Sequence, residues 1–188
     1  MPYFGDQEAR SIIRDTYSRV RSDGTAVAEA FYAHDELAGV PAEAVAMALG
    51  VGHPVRHAAL RTGESVLDLG CGAGIDTLLA ASAVGPSGRV VGLDMTPEMA
   101  ARARRNAETG GFDHVEIRAG LIEELPLPDS SMDVVISNGV LNLSTRTSRV
   151  LAETMRVLRP GGRVSITDLV LAEALPEDVL KSPAALAG

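Results

Sequence analysis

Glu64-Ser-Val-Leu-Asp-Leu-Gly-Cys-Gly-Ala-Gly-Ile-Asp76 constrains this chain more than any other stretch, because an apolar run empties into three glycines at alternating positions. At Gly70, Gly72 and Gly74 the backbone is free to turn sharply and to approach a ligand where a Cβ would collide. A second apolar run, Arg89-Val-Val-Gly-Leu-Asp94, closes on an acid. Strand, glycine-rich turn, helix and a further strand ending in an acid is how an α/β sheet builds a pocket for an adenosine-type cofactor. The acid is then placed to accept hydrogen bonds from a ribose diol.

The remaining pattern extends that unit in both directions. Strands are expected at Ser65–Leu69, Arg89–Leu93, Val115–Arg118, Met132–Ser137 and Val164–Leu169, with helices at Ile75–Val84, Pro97–Thr109 and Arg146–Leu158 between them. Runs such as Met132-Asp-Val-Val-Ile-Ser137 are apolar on both faces, which suits a parallel sheet covered by helices. The fold class is therefore α/β, a doubly wound, mostly parallel, Rossmann-like sheet with strand order 3-2-1-4-5. Residues 1–62 read as a helical lid: Asp6 to Arg21, Ala26 to Tyr32, Ala42 to Leu49 behind Pro41, and Pro54 to Arg61. The expected division is lid 1–62, cofactor-binding core 63–170 and tail 171–188.

Composition narrows the function classes. The 188 residues are 46% apolar, enough for one domain with a real core. A net charge of −8 with no basic stripe argues against nucleic acid as a partner, and three Phe, three Tyr and no Trp leave little surface for stacking bases. No run approaches the roughly 20 apolar residues of a membrane span, so no membrane is expected. The start, Met1-Pro-Tyr-Phe-Gly-Asp6, lacks the basic n-region of a signal peptide. A single cysteine fits a reducing, cytoplasmic setting.

The glycine spacing discriminates between cofactors. A dinucleotide site wants G-x-G-x-x-G, whereas Gly70, Gly72 and Gly74 run G-x-G-x-G, with Asp94 placed 94 − 74 = 20 residues beyond the last glycine. Val66-Leu-Asp-Leu-Gly-Cys-Gly-Ala-Gly74, Val91-Gly-Leu-Asp-Met95, Leu125-Pro-Leu-Pro-Asp-Ser-Ser-Met-Asp133 and Arg156-Val-Leu-Arg-Pro-Gly-Gly162 together resemble the successive motifs of class I S-adenosylmethionine-dependent methyltransferases. The resemblance covers residues 64–169 and implies S-adenosyl-L-methionine as cofactor and a small-molecule methyl acceptor. It places Asp68, Gly70, Cys71, Gly72 and Gly74 around the methionine moiety, Asp94 on the ribose and Met95 beside the adenine. Leu121, Ile122 and Glu123 would border the adenine ring, and Ser137 and Asn138 would face the sulfonium. Relatives carry an acid where this chain has Leu121, so the adenine contact falls to the backbone of Ile122 or the carboxylate of Glu123. Tyr17, in Arg14-Asp-Thr-Tyr-Ser, is similar to a lid tyrosine that covers the cofactor.

A closer resemblance lies outside those motifs. Asp35-Glu-Leu-Ala-Gly-Val-Pro-Ala-Glu-Ala-Val45, Gly74-Ile-Asp-Thr77, Val84-Gly-Pro-Ser-Gly88, Asp94-Met-Thr-Pro-Glu-Met99 and Ser137-Asn-Gly-Val-Leu-Asn-Leu143 are similar to the arsenite methyltransferase family. That chemistry depends on thiolates, because As(III) is a soft centre best held by sulfur. The family's Leu-Gly-Cys-Gly-Asn-Pro motif reads Leu49-Gly-Val-Gly-His-Pro54 here, and the cysteine after its Ser-Asn is Gly139. Cys71 alone cannot build a three-sulfur site, and no metal is expected. The leading expectation is therefore methyl transfer to an O, N or C acceptor, with arsenite methylation or a non-catalytic cofactor-binding role as alternatives. A hard nucleophile calls for a base near neutrality, and His53 and His57, flanking Pro54, are the candidates. Further expectations are a Thr96 side-chain cap on the Pro97 helix, solvated Glu123, Glu124 and Glu153, and a C-terminal truncation that removes two strands. That truncation leaves the fifth strand as an apolar edge, and a homodimer is expected to cover it.

Overall fold

The computed structural model describes residues 3–20, 24–173 and 175–186. Five parallel strands form one sheet: β1 (Ser65–Leu69), β2 (Arg89–Asp94), β3 (Val115–Ala119), β4 (Met132–Asn138) and β5 (Leu158–Thr167). Their order is β3-β2-β1-β4-β5, as the alternation of apolar runs and helical segments required. In register, Leu67 faces both Val91 and Val135, so the central strand carries the two halves of the sheet at one level.

Apolar side chains leave both faces of the strands. On one face Leu67, Leu69, Val91, Leu93 and Val135 pack under Val150 and Val157 of α8 (Thr147–Val157). On the other, Val66, Val90, Val134 and Ile136 meet Ala80, Ala81 and Val84 of α6 (Ile75–Val84). The helix α7 (Pro97–Thr109) sits against β2 and β3 through Ala100 and Ala103, close to Ile117 and Cys71.

The N-terminal region contains α1 (Asp6–Ser18), α2 (Thr25–Phe31), α3 (His34–Leu37), α4 (Ala42–Ala46) and α5 (Pro54–His57). Arg21, the expected end of the first helix, lies outside the described residues. Ala28, Tyr32, Val40, Ala44 and Ala48 join Ile75, Leu78 and Leu79 of α6 in one apolar cluster. These short helices are thus held by packing on the core, since helices of this length have little intrinsic stability.

Several local expectations are corrected. β5 begins at Leu158 rather than Val164, because Leu158 already pairs with Met132; the register then shifts across Pro160-Gly161-Gly162 and resumes with Arg163 against Val134. Thr96 is the N-cap residue of α7, but its side chain makes no cap bond; instead Asp94 Oδ1 accepts the Thr96 N–H at 2.8 Å. Glu153 and Glu123 are buried, not solvated. Glu153 accepts the Leu125 N–H at 2.9 Å and pairs with Arg156, which ties α8 to the loop before β4. Two short helices follow β5, α9 (Glu177–Leu180) and α10 (Pro183–Leu186).

Candidate functional site

The carboxyl ends of β1, β2 and β4 open into one cavity, where an open α/β sheet offers its ligand crevice. Its floor is the turn from β1 into α6. Gly70, Gly72 and Gly74 all have positive φ, at 68°, 54° and 98°, which side-chain-bearing residues rarely adopt. A Cβ at Gly72 would meet nothing within 4 Å, so the missing side chain is the space of the cavity itself. Asp94 holds this turn: its Oδ2 accepts the Gly72 N–H at 2.9 Å while its Oδ1 takes Thr96.

Four buried acids line the cavity, Glu123 beside Arg10 and a trio around the glycine turn. Asp68, Asp76 and Asp94 are only 2%, 5% and 9% exposed. Burial pushes all three above the ordinary carboxylate range, and for Asp68 the neighbouring Asp76 charge adds to it. Asp68 accepts a 2.6 Å hydrogen bond from the Thr77 hydroxyl. Asp76, in the first turn of α6, accepts from the Tyr32 hydroxyl at 2.9 Å and from the Asn138 amide at 2.9 Å.

Asn138 ends β4 and ties three segments together. Its Oδ1 accepts the Val51 N–H at 2.8 Å and the Thr167 hydroxyl at 2.9 Å. Its Nδ2 lies 2.8 Å from Gly52 O, beside Asp76 and 3.2 Å from Tyr32 Oη. A Cβ at Gly50 would come within 2.2 Å of that Nδ2, so the lid-side segment passes as close to Asn138 as a chain can.

The α1 helix forms the cavity's outer wall through Ala9, Arg10, Ile13 and Tyr17. Burial and the Asp94 charge push the Tyr17 hydroxyl's pKa up. Asp6 accepts from the Thr145 hydroxyl at 2.7 Å, and Arg10 sits 3.6 Å from Glu123, whose other oxygen accepts from Ser144 at 2.6 Å. These contacts hold α1 to the loops after β3 and β4.

The structure brings together at this cavity Tyr17, Asp68, Gly70, Cys71, Gly72, Asp94, Met95, Ile122, Glu123 and Asn138. Gly74 instead caps α6 against Ala103, and Leu121 pairs with Glu124 in a tight turn. Ser137 is fully buried with its hydroxyl 3.4 Å from Leu69 O, so it points into the sheet rather than the crevice. His53 and His57 do not border the cavity. His53 Nδ1 accepts the Arg56 N–H at 3.2 Å and caps α5, while Nε2 meets Glu36 at 3.0 Å. With both ring nitrogens occupied it serves local structure; His57 is exposed. Cys71 is buried beneath the loop, and burial, then the Asp94 and Asp68 charges, push its thiol pKa up, the opposite of an activated thiolate. A Cβ on Gly139 would sit 3.5 Å from the Val51 side chain, so the two thiol positions of the arsenite resemblance are neighbours, and neither carries sulfur.

Sequence reasoning missed Asp76, Tyr32 and the α1 contacts of Arg10. The signal for Asp76 was present, as an acid in the first turn of a helix whose N-terminus meets the glycines; nothing in the spacing announced Tyr32.

A methyltransferase domain family matches residues 60–187. An arsenite methyltransferase from Halobacterium salinarum is 50% identical over 157 residues, covering 84% of this chain and 40% of its own length. A demethylmenaquinone methyltransferase from Symbiobacterium thermophilum is 36% identical over 104 residues, 55% of this chain and 41% of that protein. The crystal structure of an arsenic (III) S-adenosylmethionine methyltransferase from Chlamydomonas reinhardtii superposes with a TM-score of 0.72 at 37% identity, covering 88% of this chain and 55% of that one. The chain thus spans about half, or less, of the length of these relatives. On this match the chain belongs to the methyltransferase domain family of class I S-adenosylmethionine-dependent methyltransferases.

Proposed function

We propose that this chain is the cofactor-binding unit of a methyltransferase that acts on a small molecule with an O, N or C acceptor. One observation carries the reading: a glycine turn braced by Asp94 opens onto a cavity lined by four buried acids. That donor set fits S-adenosylmethionine, whose ammonium and sulfonium groups outnumber its single carboxylate. Among the described cavity residues Arg10 is the one cationic side chain, and Glu123 partners it. When bound, the cofactor supplies an electrophilic methyl group on sulfur.

The residues then have distinct duties. Asp94 orients the glycine turn and retains lone pairs for a ribose diol. Asp68 and the backbone of Gly70, Cys71 and Gly72 receive the methionine end. Met95, Ile122 and Glu123 flank the adenine, and Tyr17 on α1 closes over it. Asn138 fixes the acceptor side by anchoring Gly50–Gly52. The described cavity residues act by holding acceptor and methyl in line and excluding water, effects worth several kcal/mol. In this reading residues 1–62 act as the lid, 63–170 as the core and 171–188 as a tail, in the cytoplasm.

Arsenite as the acceptor is the second reading, favoured by the 50% identity to the Halobacterium salinarum protein. The absence of sulfur at Val51 and Gly139 counts against it. A third reading, cofactor binding without turnover, differs only in the acceptor step. For the assembly we propose a homodimer through β5. No strand covers its outer edge among the described residues, and Val164 and Ile166 are 40% and 38% exposed. No described helix is long and apolar enough to cross a membrane.

Methyl transfer from labelled S-adenosylmethionine to a panel of phenols, amines and quinols, with arsenite plus thiol as a further arm, tests the acceptor class. Label in arsenic would overturn the leading reading. Cofactor binding with no product on any arm would favour the non-catalytic one.

A further inference from the structure

The methyl-bearing cofactor and its spent product differ by one positive charge, at the sulfur. A cavity that stores uncompensated negative charge can tell them apart without touching the methyl group. Four carboxylates among the described residues face this cavity, and the one described facing cation, Arg10 on α1, is matched by Glu123, which leaves Asp68, Asp76 and Asp94 without a cationic partner there.

The three acids are not equivalent. Asp94 receives two backbone N–H groups, a fixed arrangement that belongs to the glycine turn. Asp68 has the Thr77 hydroxyl and faces the Asp76 charge, which pushes its proton affinity further up. Asp76 alone is joined to the N-terminal helices. Its two oxygens accept from Tyr32 and from Asn138, and the same Asn138 holds Val51 and Gly52. Those two neutral donors partly offset the burial that lifts Asp76 to a pKa of about 6. The other titratable groups near it are Tyr17 on α1, Cys71 in the turn, and His53 with Glu36, which sit behind the Tyr32 ring at a centroid distance of 4.5 Å.

We propose that Asp76, held by Tyr32 and Asn138, is the positioning acid that lets the cavity prefer the cationic, methyl-bearing cofactor over its neutral thioether product. This rests on the methyltransferase reading above. In the ionised state Asp76 favours the sulfonium; protonated, it no longer distinguishes the two ligands. Binding of the cation therefore releases a proton at mildly acidic pH, and spent product leaves a cavity that takes one up.

Calorimetry on the whole chain, with S-adenosylmethionine and S-adenosylhomocysteine between pH 5 and 7.5, tests this. With Asp76 titrating near 6, about one molecule in eleven is ionised at pH 5, so the sulfonium cofactor should bind about tenfold more weakly there than at pH 7.5. The thioether should change by less than about threefold, in proportion to the charge it lacks. Tyr32→Phe removes one donor to the carboxylate and should move the midpoint upward. Asp76→Asn should flatten the sulfonium profile and bring the two affinities together. Equal pH profiles for both ligands would overturn the proposal. So would a sulfonium profile that survives Asp76→Asn and vanishes in His53→Gln. If Asp76→Asn does not fold, the two-ligand comparison on the unmodified chain and the Tyr32→Phe shift still decide. Binding of neither ligand at any pH would instead defeat the cofactor reading itself.

Discussion

Asn138→Ala should destabilise the ligand-free protein by roughly 3–4 kcal/mol. The amide has five polar neighbours: Val51 N, Thr167 Oγ1, Gly52 O, Asp76 Oδ2 and Tyr32 Oη. Two hydrogens and two lone pairs allow about four of these bonds at once, each worth about 1 kcal/mol net. Alanine leaves buried donors and acceptors unpaired, which keeps the cost near the upper end of that range. For a chain of this size about 2–4 °C accompanies each kcal/mol, so the melting temperature should fall by roughly 6–16 °C. Urea unfolding followed by circular dichroism should show a lower midpoint with an unchanged m-value. A loss below about 1 kcal/mol would mean the five contacts do not act together, and the account of how the lid-side segment is anchored would be wrong.

Gly50→Ala strikes the same junction from the other side. Its Cβ would lie 2.2 Å from Asn138 Nδ2, so cofactor affinity and thermal stability should both fall, whereas Gly161→Ala, with open space around it, should cost only the strain of its φ of 83°. By linkage the unliganded protein should be more stable near about pH 4.5 than near pH 7. Glu64, Glu116 and Glu153 are held below the ordinary range by hydrogen bonds from Arg163, Arg118 and Arg156. Their contribution is present above the unfolded value and lost as pH falls through the lower folded value. Burial raises Asp68, Asp76 and Asp94, so their contribution runs the other way and is lost as pH climbs from about 4 past 6. Melting curves from pH 4 to 8 check this, and a stability still rising beyond pH 7 would refute it. Cys71 should alkylate slowly in the native protein and readily in urea; rapid native labelling would contradict its burial. Val164→Lys should turn a β5-paired dimer into a monomer by light scattering.

The sheet was legible because parallel strands buried on both faces announce themselves as continuous apolar runs, and the glycine turn because only a few backbones need that spacing. Most of the residues expected at the cofactor line one cavity at the ends of those strands. Three features were hidden for physical reasons. Pro160-Gly161-Gly162 does stop the helix, at Val157, but Leu158 ahead of it already pairs with Met132, and the ladder skips the Pro-Gly-Gly segment before it resumes at Arg163 against Val134. Glu153 reads as a solvated acid until the Leu125 N–H and Arg156 are seen to meet it. His53 reads as a base because histidine is the usual one, but its partners, Glu36 and the Arg56 N–H, come from local folding that no spacing rule encodes. The tie among Tyr32, Asp76 and Asn138 joins positions 106 residues apart, and contacts of that range are set by topology.

A site for a cationic adenosine cofactor at the glycine turn and its acids must bind that cofactor in the unmodified chain. Titration calorimetry of the whole chain with S-adenosylmethionine at pH 7.5, beside Asp94→Ala, tests it most directly. The account predicts one-to-one binding by the unmodified chain and a loss of at least about tenfold in the variant, the equivalent of about 1.4 kcal/mol. No detectable binding by the folded, unmodified chain, or equal binding by Asp94→Ala, would contradict it.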